Sequence, residues 1–441
     1  MKNLASWLRR LGGDSRPAAP QGPSTANAAS IRIPSSALDA ELDAIIAATK
    51  IRIVRDEALA LLVQDNNAFA IALQGQLRVR GGNQFFSPFS IRTALAMPFV
   101  GANGETAAQM RAALHISMPV DALCAGNARL VGSLQKTDGA CEMAIANSLW
   151  SQIGAPLEAA FVELITQHFG GSWNAVDFYQ AAGAARAAIN RWVSDRTNGK
   201  IRDVLAEDSP AADTRLMVVN VAYFKGEWLV PFDKDCTRDK PFFLQDGSKV
   251  RVPLMHETLY AGHCRAPGYQ AITLPYEGTD LSLLVLLPDR KDGLENLETN
   301  LSAAMIEECL HEQGRSLIEI FLPRFKINWG PTDLAEVVAG LGMPLALTRS
   351  ADFSGINGRA PPDNSALFIS SVLHKAFVDV NEEGTEASAV SVLDMVCLGL
   401  PSRPATIPVF RADHPFLFAI CDRHTGAIIF LGRMVDPRPQ D

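Results

Sequence analysis

No stretch of this chain is apolar for long enough to cross a bilayer. The richest run, LSLLVLL at residues 281–287, has the length of a strand, well short of the ~18 residues of a membrane span. The opening MKNLASWLRRLGG is interrupted by Arg9 and Arg10, and a secretory signal needs an unbroken apolar region of ~7–15 residues. No signal peptide is therefore expected. A disordered tail is the preferred reading there, over an amphipathic tether through Leu4, Trp7, Leu8 and Leu11.

Cysteine is also scarce. There are seven (Cys124, Cys141, Cys236, Cys264, Cys309, Cys397 and Cys421), with no CxxC pair. An odd number so spaced fits free thiols better than a disulfide framework or a zinc site. Blocks of Lys or Arg are missing, and the net charge is -8, which argues against an extended nucleic-acid surface. Enzyme signatures are missing too: the sequence has no G-x-S-x-G elbow, H-E-x-x-H, P-loop or G-x-G-x-x-G. The eight histidines are scattered, and His311-Glu312 lacks a second His; HEQG reads instead as a helix end at Gly314. No enzyme activity, cofactor or metal is expected.

What is present is ordinary globular material, 48% hydrophobic and 20% charged. Residues 12–35 are rich in Pro, Ala, Gly and Ser, so residues 1–35 are expected to be a disordered tail. Helical apolar spacing begins near Ser36, and no second linker follows, so residues 36–441 are expected to form a single domain. SIRTALAMPFVGANGETAAQMRAAL reads as helix, turn, helix, with Glu105 and Thr106 placed to cap the second piece. Residues 182–196 are helical. Strands are expected at TRLMVVNVAYFKGEW, AITLPYEG, LSLLVLLP, SLIEIFLPRFKI, HKAFVDV and AIIFLGRMV. Early helices followed by many strands indicate an α+β fold with large, mostly antiparallel sheets.

One run fits neither core strand nor linker: TEASAVS, residues 385–391, is almost all small residues. It gains meaning from its company. NQFFSPFSIRTALAM (83–97), NSLW (147–150), VNVAYFKGEW (219–228), LPRFKI (322–327), LGMPLAL, ADFSGI (351–356), SSVLHKAFVDVNEEGTEASA (370–389) and FRADHPFLFAICDRHTGAIIFLGRMVDP, in that order, resemble the serpin family over residues 60 to 437.

The resemblance implies a large main sheet with helices, a C-terminal β-barrel region and an exposed reactive loop at about 382–408. It implies a monomeric suicide inhibitor whose partner is a target protease. The protease cuts the loop, the loop enters the metastable sheet as a new strand, and the acyl-enzyme is trapped. Position by position, Glu382, Glu383, Gly384, Thr385, Glu386, Ala387, Ser388 and Ala389 match the hinge. Ser87, Ser90, Asn220 and His374 match the shutter, a polar cluster at the sheet centre. Trp228 matches the breach tryptophan, and Arg324 is a candidate ion-pair partner for Glu382.

The residues suit that mechanism. A strand buried on one face alternates. Thr385, Ala387, Ala389, Ser391, Leu393 and Met395 can face a core, while Glu386, Ser388, Val390, Val392, Asp394 and Val396 face outward. No Pro lies between Thr385 and Leu400. Inhibitory members hold a nearly fixed spacing from the first hinge acid, and sixteen residues beyond Glu382 lies Leu398. The reactive bond is expected at Leu398–Gly399, with Cys397–Leu398 as the one-residue alternative and Met395 or Arg403 behind them; Pro404 follows Arg403 and disfavours cleavage there. Leu398 suits a chymotrypsin-like or subtilisin-like serine protease. The far side of the loop, with Pro401, Pro404 and Pro408, departs from the family by its length. Residues 121–138 carry only Arg129 and Lys136, so no heparin site is expected. The Ala-rich, disulfide-poor composition suggests a bacterial source. Family members are often extracellular, whereas the N-terminus and odd thiols lean cytoplasmic. Three alternatives stand beside inhibition of a serine protease: a non-inhibitory binding or chaperone protein on the same fold, a cross-class inhibitor of a cysteine protease, and an unrelated α+β enzyme.

Overall fold

The computed structural model describes residues 57–134, 140–154, 157–207, 209–211, 213–311, 315–385 and 407–439. The expected tail, the stretch expected to be helical up to residue 56 and most of the reactive loop lie outside the described residues, among them Glu386, Ala387, Ser388, Ala389, Cys397, Leu398 and Gly399.

The chain runs α1 (Glu57–Leu77), β1 (Gln84–Phe86), α2 (Pro88–Phe99), α3 (Gly104–Ala113), α4 (Val120–Leu134), β2 (Cys141–Gln152), α5 (Ala159–Phe169), β3 (Ser172–Val176), α6 (Ala182–Arg196) and β4 (Leu216–Glu227). It continues through β5 (Arg238–Phe243), β6 (Lys249–Ala266), β7 (Tyr269–Pro275), β8 (Leu281–Pro288), α7 (Leu294–Asn300), α8 (Ala303–His311), β9 (Arg315–Pro323), β10 (Phe325–Asp333), α9 (Ala335–Gly340) and α10 (Ser354–Asn357). The last strands are β11 (Ile369–Val380), β12 (Gly384–Thr385), β13 (Val409–Arg411), β14 (Phe416–Asp422) and β15 (Ile428–Met434).

Two sheets organise these elements. The main sheet has the order β10-β11-β12-β4-β2-β3. It is mixed: β11 pairs β4 in parallel, as β2 pairs β3, and the remaining neighbours are antiparallel. The second sheet has the order β1-β15-β14-β8-β7-β6-β9-β13, with β5 added on β6. Among the described residues it is open, which corrects the expected β-barrel. The reason lies in β6: only Gly262 to Ala266 pair with β7, while its earlier residues pair β9 and then β5. The sheet therefore continues outward instead of closing on β1.

Both faces of the main sheet are covered, and β4 shows why its sequence is apolar from Leu216 to Phe224 apart from Asn220. Val218, Ala222 and Phe224 join the large core shared with α2 and the second sheet. Met217, Val219, Val221 and Tyr223, on the alternate face, join a smaller core with Ile189 and Val193 of α6 and Trp150 of β2. A strand buried on both faces reads as a continuous apolar run. Helix α2 starts where Ser87 accepts a hydrogen bond from Ser90 N and Pro88 takes the first helical position; all its residues are buried. The expected cap of α3 is displaced. That helix begins after Asn103, and the Thr106 hydroxyl is instead used by Asp352 N at 2.9 Å.

Candidate functional site: the β4–β11 seam and its hinge

β4 and β11 run side by side in parallel, in register from Val218↔Val372 to Tyr223↔Phe377. Above that point they part, and β12 lies between them, antiparallel to both: Thr385 stands opposite Val380 on one side and Gly226 on the other. Two parallel strands can accept a third between them only if it runs the opposite way to both or the same way as both; β12 runs opposite, which the short reversal after β11 permits.

At mid-height the seam carries a buried polar row. Asn147 of β2 is level with Asn220 of β4, which is level with His374 of β11. Ser87 and Ser90, at the start of α2, lie against this row. Asn220 Nδ2 donates to Ser90 Oγ and to Asn147 Oδ1, and His374 Nδ1 meets Asn220 Oδ1. Ser87 N donates to His374 Nε2 at 3.3 Å, and Ser87 Oγ donates to Ile429 O at 2.8 Å. These contacts fix the tautomer: Nε2 accepts, so Nδ1 carries the proton and donates to Asn220. Burial pushes the His374 pKa down to about 3, so the ring is neutral. Cationic imidazole could not accept from Ser87, and among the described residues no carboxylate pairs with it. The four expected shutter residues thus come together. Asn147, which the sequence reading missed as a member, completes the row; its signal was its register opposite Asn220.

The hinge is fastened by separate contacts. Glu382 is only 3% exposed at its side chain and pairs with Arg324, which is half exposed. Thr237 Oγ1 also donates to Glu382 Oε1 at 2.7 Å. Burial pushes the Glu382 carboxyl upward, but the hydrogen bonds from Arg324 and Thr237 outweigh it and hold the group below the usual glutamate value. Glu383 pairs with exposed Lys234. The backbone is gripped from one side: Trp228 N donates to Glu383 O at 2.9 Å and Phe232 N to Glu382 O at 2.8 Å.

Trp228 is buried, stacks on Tyr276 with centroids 4.7 Å apart, and donates from Nε1 to Asn381 O at 2.9 Å. Tyr276 OH in turn lies 2.8 Å from Thr385 Oγ1, and Thr385 is fully buried. Gly384 passes so close to β4 that an added Cβ would meet Gly226 O at 2.1 Å. A residue with a side chain has no room at this point. Thr237, Lys234 and Tyr276 were invisible to the sequence reading, since each lies on a different element from the residue it holds.

Among the described residues, the six cysteines are free and no group of three or more His, Cys, Asp or Glu is placed to hold a metal. No helix among them is long and apolar enough to cross a membrane.

A model of the serpin (serine protease inhibitor) family matches residues 64–437. The chain is 35% identical over 407 residues to a serpin-like protein of Thermococcus kodakarensis, covering 92% of each chain. It is 37% identical to the leukocyte elastase inhibitor of Bos taurus, covering 81% of this chain and 93% of the relative. Among solved structures, an Arabidopsis serpin in its native stressed conformation is 28% identical with a TM-score of 0.74, covering 86% of this chain and 98% of that one. A main sheet with a parted parallel seam, a partly entered hinge strand and a match spanning most of the sequence have one common explanation: this chain belongs to the serpin family.

Proposed function

We propose that this chain is an inhibitory serpin: a single domain from about residue 36 that traps a serine protease of apolar primary specificity after cleavage at Leu398–Gly399. The observation that carries the reading is β12. Thr385, the first residue of the small-residue run, already occupies a strand position between β4 and β11, and the seam below it continues in the same direction. The remainder of the run can extend that strand without changing register. A bacterial source rests on composition alone.

The physics favours completion of the strand. Filling the seam replaces one parallel pairing, the slightly weaker kind, with two antiparallel ones. About ten or more new ladder bonds at roughly 1 kcal/mol net each give a drive on the order of ten kcal/mol. The small side chains at the leading end limit overpacking on entry. What delays completion in the uncut protein is the length of the loop, anchored at its far end by β13 pairing with β9. Cutting removes that restraint.

The register also specifies what the shutter does. Each step forward from Thr385↔Gly226 is one step back along β4, so Ser391 would arrive level with Asn220, and on the other side with His374. Its hydroxyl would replace the direct Asn220–His374 bond, so the polar row is rebuilt rather than left unsatisfied.

The test is a gel run in denaturing detergent after mixing the protein with chymotrypsin and, separately, subtilisin, with mass spectrometry to find the cut. A boiling-resistant band at the summed mass, cut after Leu398, is the expected result. Clean cleavage by both proteases without such a band would turn the reading toward a non-inhibitory member of the family.

A further inference from the structure

We propose that Cys264 and Cys309 close a reversible disulfide, a redox-controlled cross-link between β6 and α8. Both thiols are free in this structure. The proposal is independent of the inhibitory reading and concerns the second sheet, away from the hinge.

Three observations bring the pair together. First, Cys264 of β6 stands opposite Ala271 of β7. Residues two apart on a strand share a face, so Cys264 and Tyr269 project from the same face of the sheet. Second, α8 packs on that face: its Cys309 is fully buried, and the Cys309 Sγ lies 3.8 Å from the Tyr269 hydroxyl. Third, the two thiols are themselves in hydrogen-bonding contact. Touching thiols are the arrangement from which a disulfide closes with the least displacement. The place is also a corner of the fold. β6 leaves β9 for β7 at Gly262, which is paired with both Arg315 and Thr273. Cys264 lies just beyond that point, and α8 leads into β9. Oxidation ties the helix to the corner. A link between residues far apart in sequence restricts the unfolded chain, so the oxidised protein should resist denaturant better.

Burial sets the order of events. Cys264 is half-buried, whereas Cys309 and Cys421 are closed to solvent. The oxidant is a low-molecular-weight disulfide, and Cys264 is the thiol it can reach. The Cys264 thiolate attacks one sulfur of the small disulfide and expels the other as a thiol. The Cys309 thiolate then attacks the Cys264 sulfur, forms the protein disulfide and expels the second small thiol. Two electrons pass from the protein to the small disulfide, and the two thiol protons end on the two small thiols. The second step carries the main barrier, because burial pushes the Cys309 thiol up and only the thiolate is the nucleophile. The hydrogen bond from Tyr269 acts against burial and favours the Cys309 thiolate. Tyr269 is thus a positioning residue for closure.

The experiment uses the full-length protein, as wild type, Cys264→Ser, Cys309→Ser and Tyr269→Phe, in buffers graded from reduced to oxidised glutathione. Linked and glutathione-bearing peptides are identified by mass spectrometry after alkylation, and urea midpoints are recorded for each state. Oxidised wild type should carry a Cys264–Cys309 peptide pair and unfold at a higher midpoint than the reduced form, with dithiothreitol reversing both. Cys309→Ser should stop at a glutathione adduct on Cys264. Tyr269→Phe should hold that adduct several-fold longer before closing; closure at the wild-type rate would overturn the tyrosine's part. Cys264→Ser, altered only at the half-buried position, should fold as the reduced wild type does and show no rise on oxidation. Absence of the linked pair in oxidised wild type, a lasting adduct on Cys264, or a link from either residue to Cys236, Cys397 or Cys421 would overturn the cross-link and leave the inhibitory reading untouched.

Discussion

Asn220 and His374 face each other across the parallel seam, and the imidazole Nδ1–H is bonded directly to the asparagine side-chain oxygen. On the proposed mechanism this contact lies on the path of the inserting strand. Continuing the hinge register brings Ser391 between the two. Ser391→Val removes the hydroxyl that would bridge them and leaves both polar groups facing a hydrocarbon. The cut protein should lose about 1–3 kcal/mol, the cost of an unsatisfied buried polar group, while the uncut protein is unchanged. Guanidinium unfolding of cut and uncut forms measures the difference.

Acid should weaken the shutter. His374 titrates at 6.5 when unfolded and at about 3 when folded, so between these values only the unfolded chain binds the proton. Its contribution to stability is full above pH 6.5 and is lost progressively as pH falls toward 3. From pH 7.5 to pH 5 the loss is about 2 kcal/mol, at 1.36 kcal/mol per unit below 6.5. Glu298 and Asp422, whose carboxyls burial pushes upward, act in the opposite direction, so the informative quantity is the difference between wild type and His374→Gln. Urea midpoints at the two pH values should fall less in the variant. Parallel slopes would remove His374 as the source.

Arg324 should matter more than an ordinary half-exposed arginine. Arg324→Ala leaves the Glu382 carboxylate buried with the Thr237 hydroxyl as its remaining side-chain partner, a change expected to cost about 1–3 kcal/mol. Adding Glu382→Gln should restore part of that loss, because a neutral amide tolerates the site better. A double-mutant cycle on denaturant midpoints reads the coupling. Additive losses would show that Glu382 and Arg324 act independently.

Thr385→Arg should separate cleavage from trapping. Thr385 is fully buried beside Tyr276, and a guanidinium there would have no counter-charge and too little space. The protease should cut the variant loop at the wild-type rate, yet the boiling-resistant band should disappear. A persisting band would show that the strand can enter without its leading residue.

Parts of this molecule could be read directly from the sequence, for physical reasons. β8 is an apolar run broken only by Ser282 and closed by Pro288, and α6 has helical spacing ended at Asn198-Gly199; both lie where the pattern places them. β6 escaped notice because its partners change along its length from β5 to β9 to β7, and Pro253 interrupts it, so no single alternation holds. The α3 cap was misplaced because Thr106 is committed to Asp352, a contact across about 250 residues of chain that local rules cannot foresee. The polar row was legible only through family resemblance. Each of Ser87, Asn220 and His374, taken alone, looks like any satisfied core residue; register unites Asn220 with His374, and the packing of α2 brings Ser87 to them. Of the small-residue run only Thr385 lies among the described residues, and the place it takes, between β4 and β11, is a property of two other strands.

A parallel pair of strands with one end already parted is, chemically, a receptor for extended polypeptide. If it takes up its own loop as proposed, its backbone hydrogen bonds would serve another strand of the same alternation equally well. The working life of such a molecule in solution would then depend on crowding by its own kind, and the rate of its loss should rise with concentration. On the proposed mechanism, that sensitivity would follow from how β4 and β11 meet.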